Sequence, residues 1–157
     1  NDNTVIGNTC NNSDNSGISI NNSSNNTVTG NICNNNNYGI FLFSSSSNTV
    51  TGNACNNNNA HGISLNASSR FTITGNTCGN NTIGIYLNNS SSHAVTGNTC
   101  IRGTGLATDY TASQHTIRLY STTNNYNLIS NNNCMGKAVT SGGGTGNTLV
   151  NNKFDEA

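Results

Sequence analysis

An eight-residue unit, Asn-Thr-Val-Thr-Gly-Asn-Ala-Cys at residues 48–55, recurs along the whole chain and limits what it can fold into. Copies end at Cys10, Cys33, Cys55, Cys78, Cys100 and Cys134, and a seventh, Asn147 to Phe154, puts Phe where the others put Cys. Successive Cys lie 23, 22, 23, 22 and 34 residues apart, and Phe154 follows the last by 20. A period of this length marks a solenoid, in which one supersecondary unit stacks on the next. A single domain covering residues 1–157 is the expectation.

Within the unit each position has a physical reading. Three before the Cys stand Gly7, Gly30, Gly52, Gly75 and Gly97, then Asn131 and Asn151. Gly replaced only by Asn predicts a backbone site with positive φ. Two before stands Asn every time: Asn8, Asn31, Asn53, Asn76, Asn98, Asn132 and Asn152. Stacked at one bend, these amides can bond their neighbours above and below as a ladder. Five before stands Val5, Val28, Val50, Ile73, Val95, Ile129 or Leu149, an inward strand position. After each Cys comes a second apolar pair, from Ile18 and Ile20 to Ile117 and Leu119, with a weaker version at Val139 and Ser141. Its period of two predicts a strand with Ser19, Phe41, Ser64, Tyr86, Arg118 and Thr140 facing out. Two extra residues fall between Leu119 and Ile129.

Short strands with Asn, Ser and Gly bends, returning in constant phase, fit a coil of parallel strands. At about 4.8 Å per rung, seven rungs make a rod roughly 30 Å long. No 3.6-residue period survives the Asn, Ser and Gly runs, which excludes a helical solenoid. The expected fold is all-β, a right-handed parallel β-helix of about seven rungs of 20–23 residues with one longer loop near 101–115.

Asn makes up 37 of the 157 residues and charged residues 6 %. Disorder wants high net charge, and here the net charge is zero with apolar positions in register. There is no basic patch, so nucleic acid is not an expected partner. No run approaches 18 apolar residues, so no membrane span is expected. Eight sequons, at Asn11, Asn21, Asn22, Asn25, Asn66, Asn80, Asn88 and Asn89, permit glycosylation without arguing for it. The chain opens at Asn1 without Met, which fits a removed signal or a piece of something longer.

The unit Asn-Thr-Val-Thr-Gly-Asn-x-Cys followed by Gly-Ile-x-Leu resembles the parallel β-helix repeats of NosD-type periplasmic proteins and of carbohydrate-binding or sugar-hydrolase β-helices. It is also similar to Asn-rich secreted surface or sheath proteins of prokaryotes. The resemblance covers nearly all of residues 1–157 and implies the fold more than an activity. Enzymes of these groups carry clustered carboxylates, which this chain lacks. A NosD-type resemblance implies copper handling, but no His/Met cluster supports it, and no cofactor or metal is expected.

Several residues invite a chemical reading. The six Cys share a position with Phe154, which suggests a buried thiol stack. Disulfides between adjacent rungs, whose Cα spacing would allow them, stay open, as does metal binding, although no C-x₂-C pair is present. His61 and His115 share a position two rungs apart, and His93 replaces a ladder Asn on another face; all three are expected at the surface. The insertion before Thr116 brings together Arg102, Asp109, Tyr110 and His115, close to Arg118. It is the one neighbourhood of mixed acid, base and aromatic groups, a salt-bridged loop or a sugar- or protein-contact site. One Asp does not make the carboxylate pair of glycoside hydrolysis. Phe41, Phe43 and Tyr86 fall near one lateral face, as a partner contact or sheltered under bends.

Two functions are expected from this. The first is a non-enzymatic, secreted or cell-surface rod that assembles with copies of itself, because neutral stacked rungs leave open strand edges. The alternative is a carbohydrate-binding or carbohydrate-processing β-helix with glycans as partner.

Overall fold

A computed structural model describes residues 1–101, 109, 111, 113–135 and 139–154. Every strand pairing in it is parallel. One side of the coil is a seven-stranded sheet in the order β1 (Thr4–Ile6), β3 (Thr27–Thr29), β5 (Thr49–Thr51), β7 (Thr72–Thr74), β9 (Ala94–Thr96), β11 (Leu128–Ser130) and β14 (Thr148–Val150). A second side is a six-stranded sheet of β2 (Ser16–Asn21), β4 (Tyr38–Phe43), β6 (His61–Asn66), β8 (Ile83–Asn88), β10 (His115–Leu119) and β13 (Thr140–Ser141). A third side runs as single bridges from Thr9 through Ile32, Ala54, Thr77 and Thr99 to Asn133. It ends in the pair β12 (Asn133–Cys134) and β15 (Lys153–Phe154). A fourth is the bridge column Ser24, Ser46, Ser69 and Ser91. The chain thus winds as a parallel β-helix of six turns between the seven stacked strands, in the register that the repeat predicts.

Four sides need four corners, and in the second turn each corner is made in the same way. A residue with positive φ turns the chain, and the next residue points inward and bonds its equivalents above and below. In the second turn these turning residues are Gly30 (φ 63°), Asn35 (58°), Ser44 (48°) and Ser47 (54°). The residues that follow them, Asn31, Asn36, Ser45 and Asn48, are all buried. Gly, Asn and Ser recur at the turning sites because little or no side chain has to be accommodated there. Ala67, Arg70 and Tyr126 also take this conformation, so stacking overrides local preference at those three corners.

One ladder residue shows why a buried amide is tolerated. Asn53 Oδ1 accepts from the backbone N–H and the Nδ2 of Asn31, at 2.9 and 3.0 Å. Its own Nδ2 donates to Val28 O, Thr51 O and Asn76 Oδ1. Every polar atom of the side chain is bonded, so the penalty of burying an amide is offset. Sequence reading identifies this ladder. It overlooks Asn36, Asn58 and Asn81 in the Asn runs, and Ser45, Ser68, Ser90 and Asn124 at the next corner, all buried.

Between the sides lie four apolar columns: the Val/Ile column of the first sheet, the two columns of Gly-Ile-x-Leu, and the Cys column. Val28, Val50, Ile40, Leu42, Ile63, Leu65, Cys33 and Cys55 are all 0 % exposed. Such a side chain contributes about 1.5–3 kcal/mol. The two-residue insertion lies in the stretch between Leu119 and Asn124. Asn124 nevertheless returns to its ladder, accepting from Ser90 N at 2.8 Å.

Candidate functional site

Groups of different chemistry meet on the outward side of the six-stranded sheet. Register sets three columns beside one another: Ser16, Tyr38, His61, Ile83 and His115; Ser19, Phe41, Ser64, Tyr86 and Arg118; and Asn21, Phe43, Asn66 and Asn88. Tyr120 follows the end of β10, bonded through its N–H to Leu87 O. Parallel stacking in constant phase brings aromatics from four rungs into one row. Phe43 stacks on Phe41, with centroids 6.4 Å apart, and Phe41 meets Tyr38 at 5.3 Å. Tyr38 meets His61 edge-on at 5.3 Å, His61 stacks on Tyr86 at 4.3 Å, and Tyr86 meets Tyr120 at 5.7 Å. The guanidinium of Arg118 closes the row 4.9 Å over the Tyr120 ring. Such contacts are worth about 0.5–1.5 kcal/mol each beyond area burial. Ser64, expected to face solvent, sits in the column under this row and is 2 % exposed.

Burial draws the pKa of His61 down to about 4, and the charge of Arg118 acts in the same direction. His61 is therefore neutral at pH 7, and its Nδ1 is buried without a partner. Burial pushes the Tyr86 phenol up, as does Tyr120, while Arg118 opposes them. Amides flank the row on its open side: Asn88 Nδ2 donates to Asn66 Oδ1 at 3.3 Å, and Asn21 Nδ2 to Ser19 Oγ at 3.2 Å.

The predicted loop site fares differently. Arg102 and Tyr110 lie outside the described residues. Asp109 is half-buried, and His115 is buried at the start of β10, paired with Ile83. Of the five residues, the structure places Arg118 on the aromatic row. The expectation of three surface histidines is corrected. His93 is 2 % exposed and fills a ladder position, with its Nδ1 accepting from Phe71 N at 3.0 Å. His115 is buried, and His61 is half-buried between Tyr38 and Tyr86.

The cysteines are free thiols. Cys33, Cys55, Cys78, Cys100 and Cys134 are buried and Cys10 is half-buried. Neighbouring thiols and burial raise Cys33 and Cys78, and burial pushes Cys134 up to about 11. Phe154 pairs in backbone register with Cys134.

The repeat and its coil now stand together. A family profile described as periplasmic copper-binding protein (NosD) matches residues 1–126. The chain belongs to the NosD family. Searches of curated proteins and of solved structures returned no match. The periplasmic description of NosD agrees with a location outside the cytoplasm. Its copper does not fit the residues seen here. Among the described residues no three His, Cys, Asp or Glu groups converge. The repeat places five of this chain's six thiols in the core, where the thiolate form that a soft metal needs is disfavoured. Among the described residues no helix is long and apolar enough to cross a membrane.

Proposed function

We propose that this NosD-family chain is a non-catalytic binding scaffold, secreted or at the cell surface, that holds an extended glycan against its aromatic row. The row itself carries the reading. Sugar rings present C–H faces that stack on aromatic faces, and the parallel strand spacing of about 4.8 Å is close to the length of one pyranose unit. Phe43 and Tyr120 are 40 % and 52 % exposed, so ring surface is available, and Asn21, Asn66 and Asn88 lie beside it to bond hydroxyls. The stacked sheet holds the rings in place before binding, which lowers the entropy lost on association. Affinity electrophoresis of the full chain in gels containing neutral and acidic polysaccharides tests this. Retardation by at least one, lost in Phe41→Ala and Tyr86→Ala with unchanged circular dichroism, is the expected result. No retardation in any gel, or retardation that survives both substitutions, overturns it.

A second reading, assembly with copies of itself, rests on the polarity of the ladders. In each step the backbone N–H of one rung donates to the Oδ1 of the following rung, from Asn8 to Asn31 through Asn132 to Asn152. The Asn8 side therefore turns amide oxygens outward and the Asn152 side turns N–H groups outward. A second copy stacked in register would match donors to acceptors, and such a heterologous contact propagates. Electron microscopy of wild type, Val5→Pro and Leu149→Pro tests it. Filaments lost on either substitution support stacking, and filaments that persist in both exclude it.

A further inference from the structure

Of the residues in the three outward columns, Arg118 alone carries a permanent charge. It stands at one end of the aromatic row, half-buried, with its guanidinium held over Tyr120. Among the described residues it has no carboxylate partner and makes no hydrogen bond. Its N–H groups are therefore unspent. Its field reaches the middle of the row, since it disfavours the charged form of His61 and favours that of Tyr86. No carboxylate stands in any of the three columns to repel an anion.

We infer that Arg118 reads a sugar carboxylate, so that the glycan taken by this face is a polyuronide. This rests on the glycan-binding reading above. A planar guanidinium restrained on a ring presents paired N–H donors that match the two oxygens of a carboxylate. Arg118 is directly beside Tyr86 in register, one strand away and thus about 4.8 Å along the row. A chain lying along the row with one ring over Tyr86 and its neighbour His61 brings the substituent of the next ring to Arg118. A neutral glycan leaves the guanidinium without a partner, and an acidic one supplies it.

Calorimetric titration of the full chain with a hexameric oligogalacturonate, its methyl ester and a sulfated glucan oligomer tests the inference. The wild type is expected to bind the free acid roughly ten-fold tighter than the ester, the scale of a charge-assisted hydrogen bond at an exposed site. Arg118→Gln should bring the acid down to the level of the ester and leave the ester unchanged. Equal binding of acid and ester by wild type, or no change in Arg118→Gln, overturns the carboxylate reader. If Tyr86→Ala still abolishes binding in that case, the glycan-binding reading stands without it. Tighter binding of the sulfated oligomer than of the uronide overturns the assignment to a carboxylate. Absence of binding to all three overturns the polyuronide assignment, and only absence of retardation in the polysaccharide gels as well overturns the glycan-binding reading. Melting curves of each variant exclude misfolding as the cause.

Discussion

A single buried amide in this coil is held by more bonds than its small side chain suggests. Truncating Asn53 leaves Asn31 N–H and the Val28 carbonyl without their partners in a dry interior. Asn53→Ala should therefore cost about 1–3 kcal/mol. Asn57 is exposed, with φ 56°. Asn57→Gly should stay within about 0.5 kcal/mol, and Asn57→Ala should lose about 1 kcal/mol to backbone strain alone. Equal midpoint shifts for Asn53→Ala and Asn57→Gly in urea would undo the ladder argument. His93 is the flawed member of its column. Its Nε2 is buried and unbonded, facing the Ser68 carbonyl, where Asn48 and Asn127 place an Nδ2 on Ser23 O and Ser90 O. Burial holds both His93 and His61 near pKa 4, against an ordinary value of about 6.5. Between those values the unfolded chain takes up protons that the fold refuses, so stability rises with pH there. It is complete above about pH 6.5 and is lost as pH falls toward 4. His93→Asn should raise the melting temperature at pH 5 more than at pH 8. An equal gain at both would show that His93 does not titrate on unfolding.

At the scale of the strand, the Gly of Gly-Ile-x-Leu is required by its neighbour. A Cβ on Gly62 would meet Gly84 O at 2.7 Å and Cys78 Cβ at 3.0 Å. On Gly39 it would meet Gly62 O at 2.5 Å. The backbone of each six-residue strand approaches the next rung and the Cys column too closely for any side chain. Gly62→Ala should therefore cost about 1–3 kcal/mol through overpacking. Gly79→Ala should cost less than Gly62→Ala, because its Cβ would meet Asn56 Oδ1 at 3.1 Å and Ile101 O at 3.6 Å, and a small shift of the half-buried Asn56 side chain strains only its 2.7 Å bond from Gly79 N–H. Chemical denaturation of the two variants checks this, and a Gly62→Ala protein as stable as wild type would show that the strands can separate locally.

Across the whole molecule each rung touches only its neighbours, so stability is close to a sum of rung and interface contributions. The Cys column runs through all of them. A bulky maleimide should label Cys10 quickly in the native protein, because it is half-buried at an end. The other five should react only at the rate of opening, and all six together in denaturant. Prompt native labelling of Cys55 or Cys78, both buried, would contradict a closed core.

The repeat was legible because a parallel coil copies each rung onto the next, so every constraint returns in phase. Gly30 before Asn31, Val28 before both, and Ile40 with Leu42 after Cys33 each state a backbone or packing requirement that short-range chemistry can read. The other ladders were harder. Asn58 lies within Asn56-Asn57-Asn58-Asn59, where nothing local distinguishes the buried amide from its exposed neighbour Asn57. Ser45 hides in Ser44-Ser45-Ser46-Ser47 for the same reason. The aromatic row was legible only as scattered rings. Tyr38, His61, Tyr86 and Tyr120 stand 23, 25 and 34 residues apart, and only Tyr38 and His61 share a position of their rungs. Only stacking decides that the His61 ring leans out of its own column onto Tyr86 in the Ser64 column. The sequence therefore determined the coil, because its local rules repeat. The tertiary structure decided the aromatic face, because that face is made of contacts between rungs.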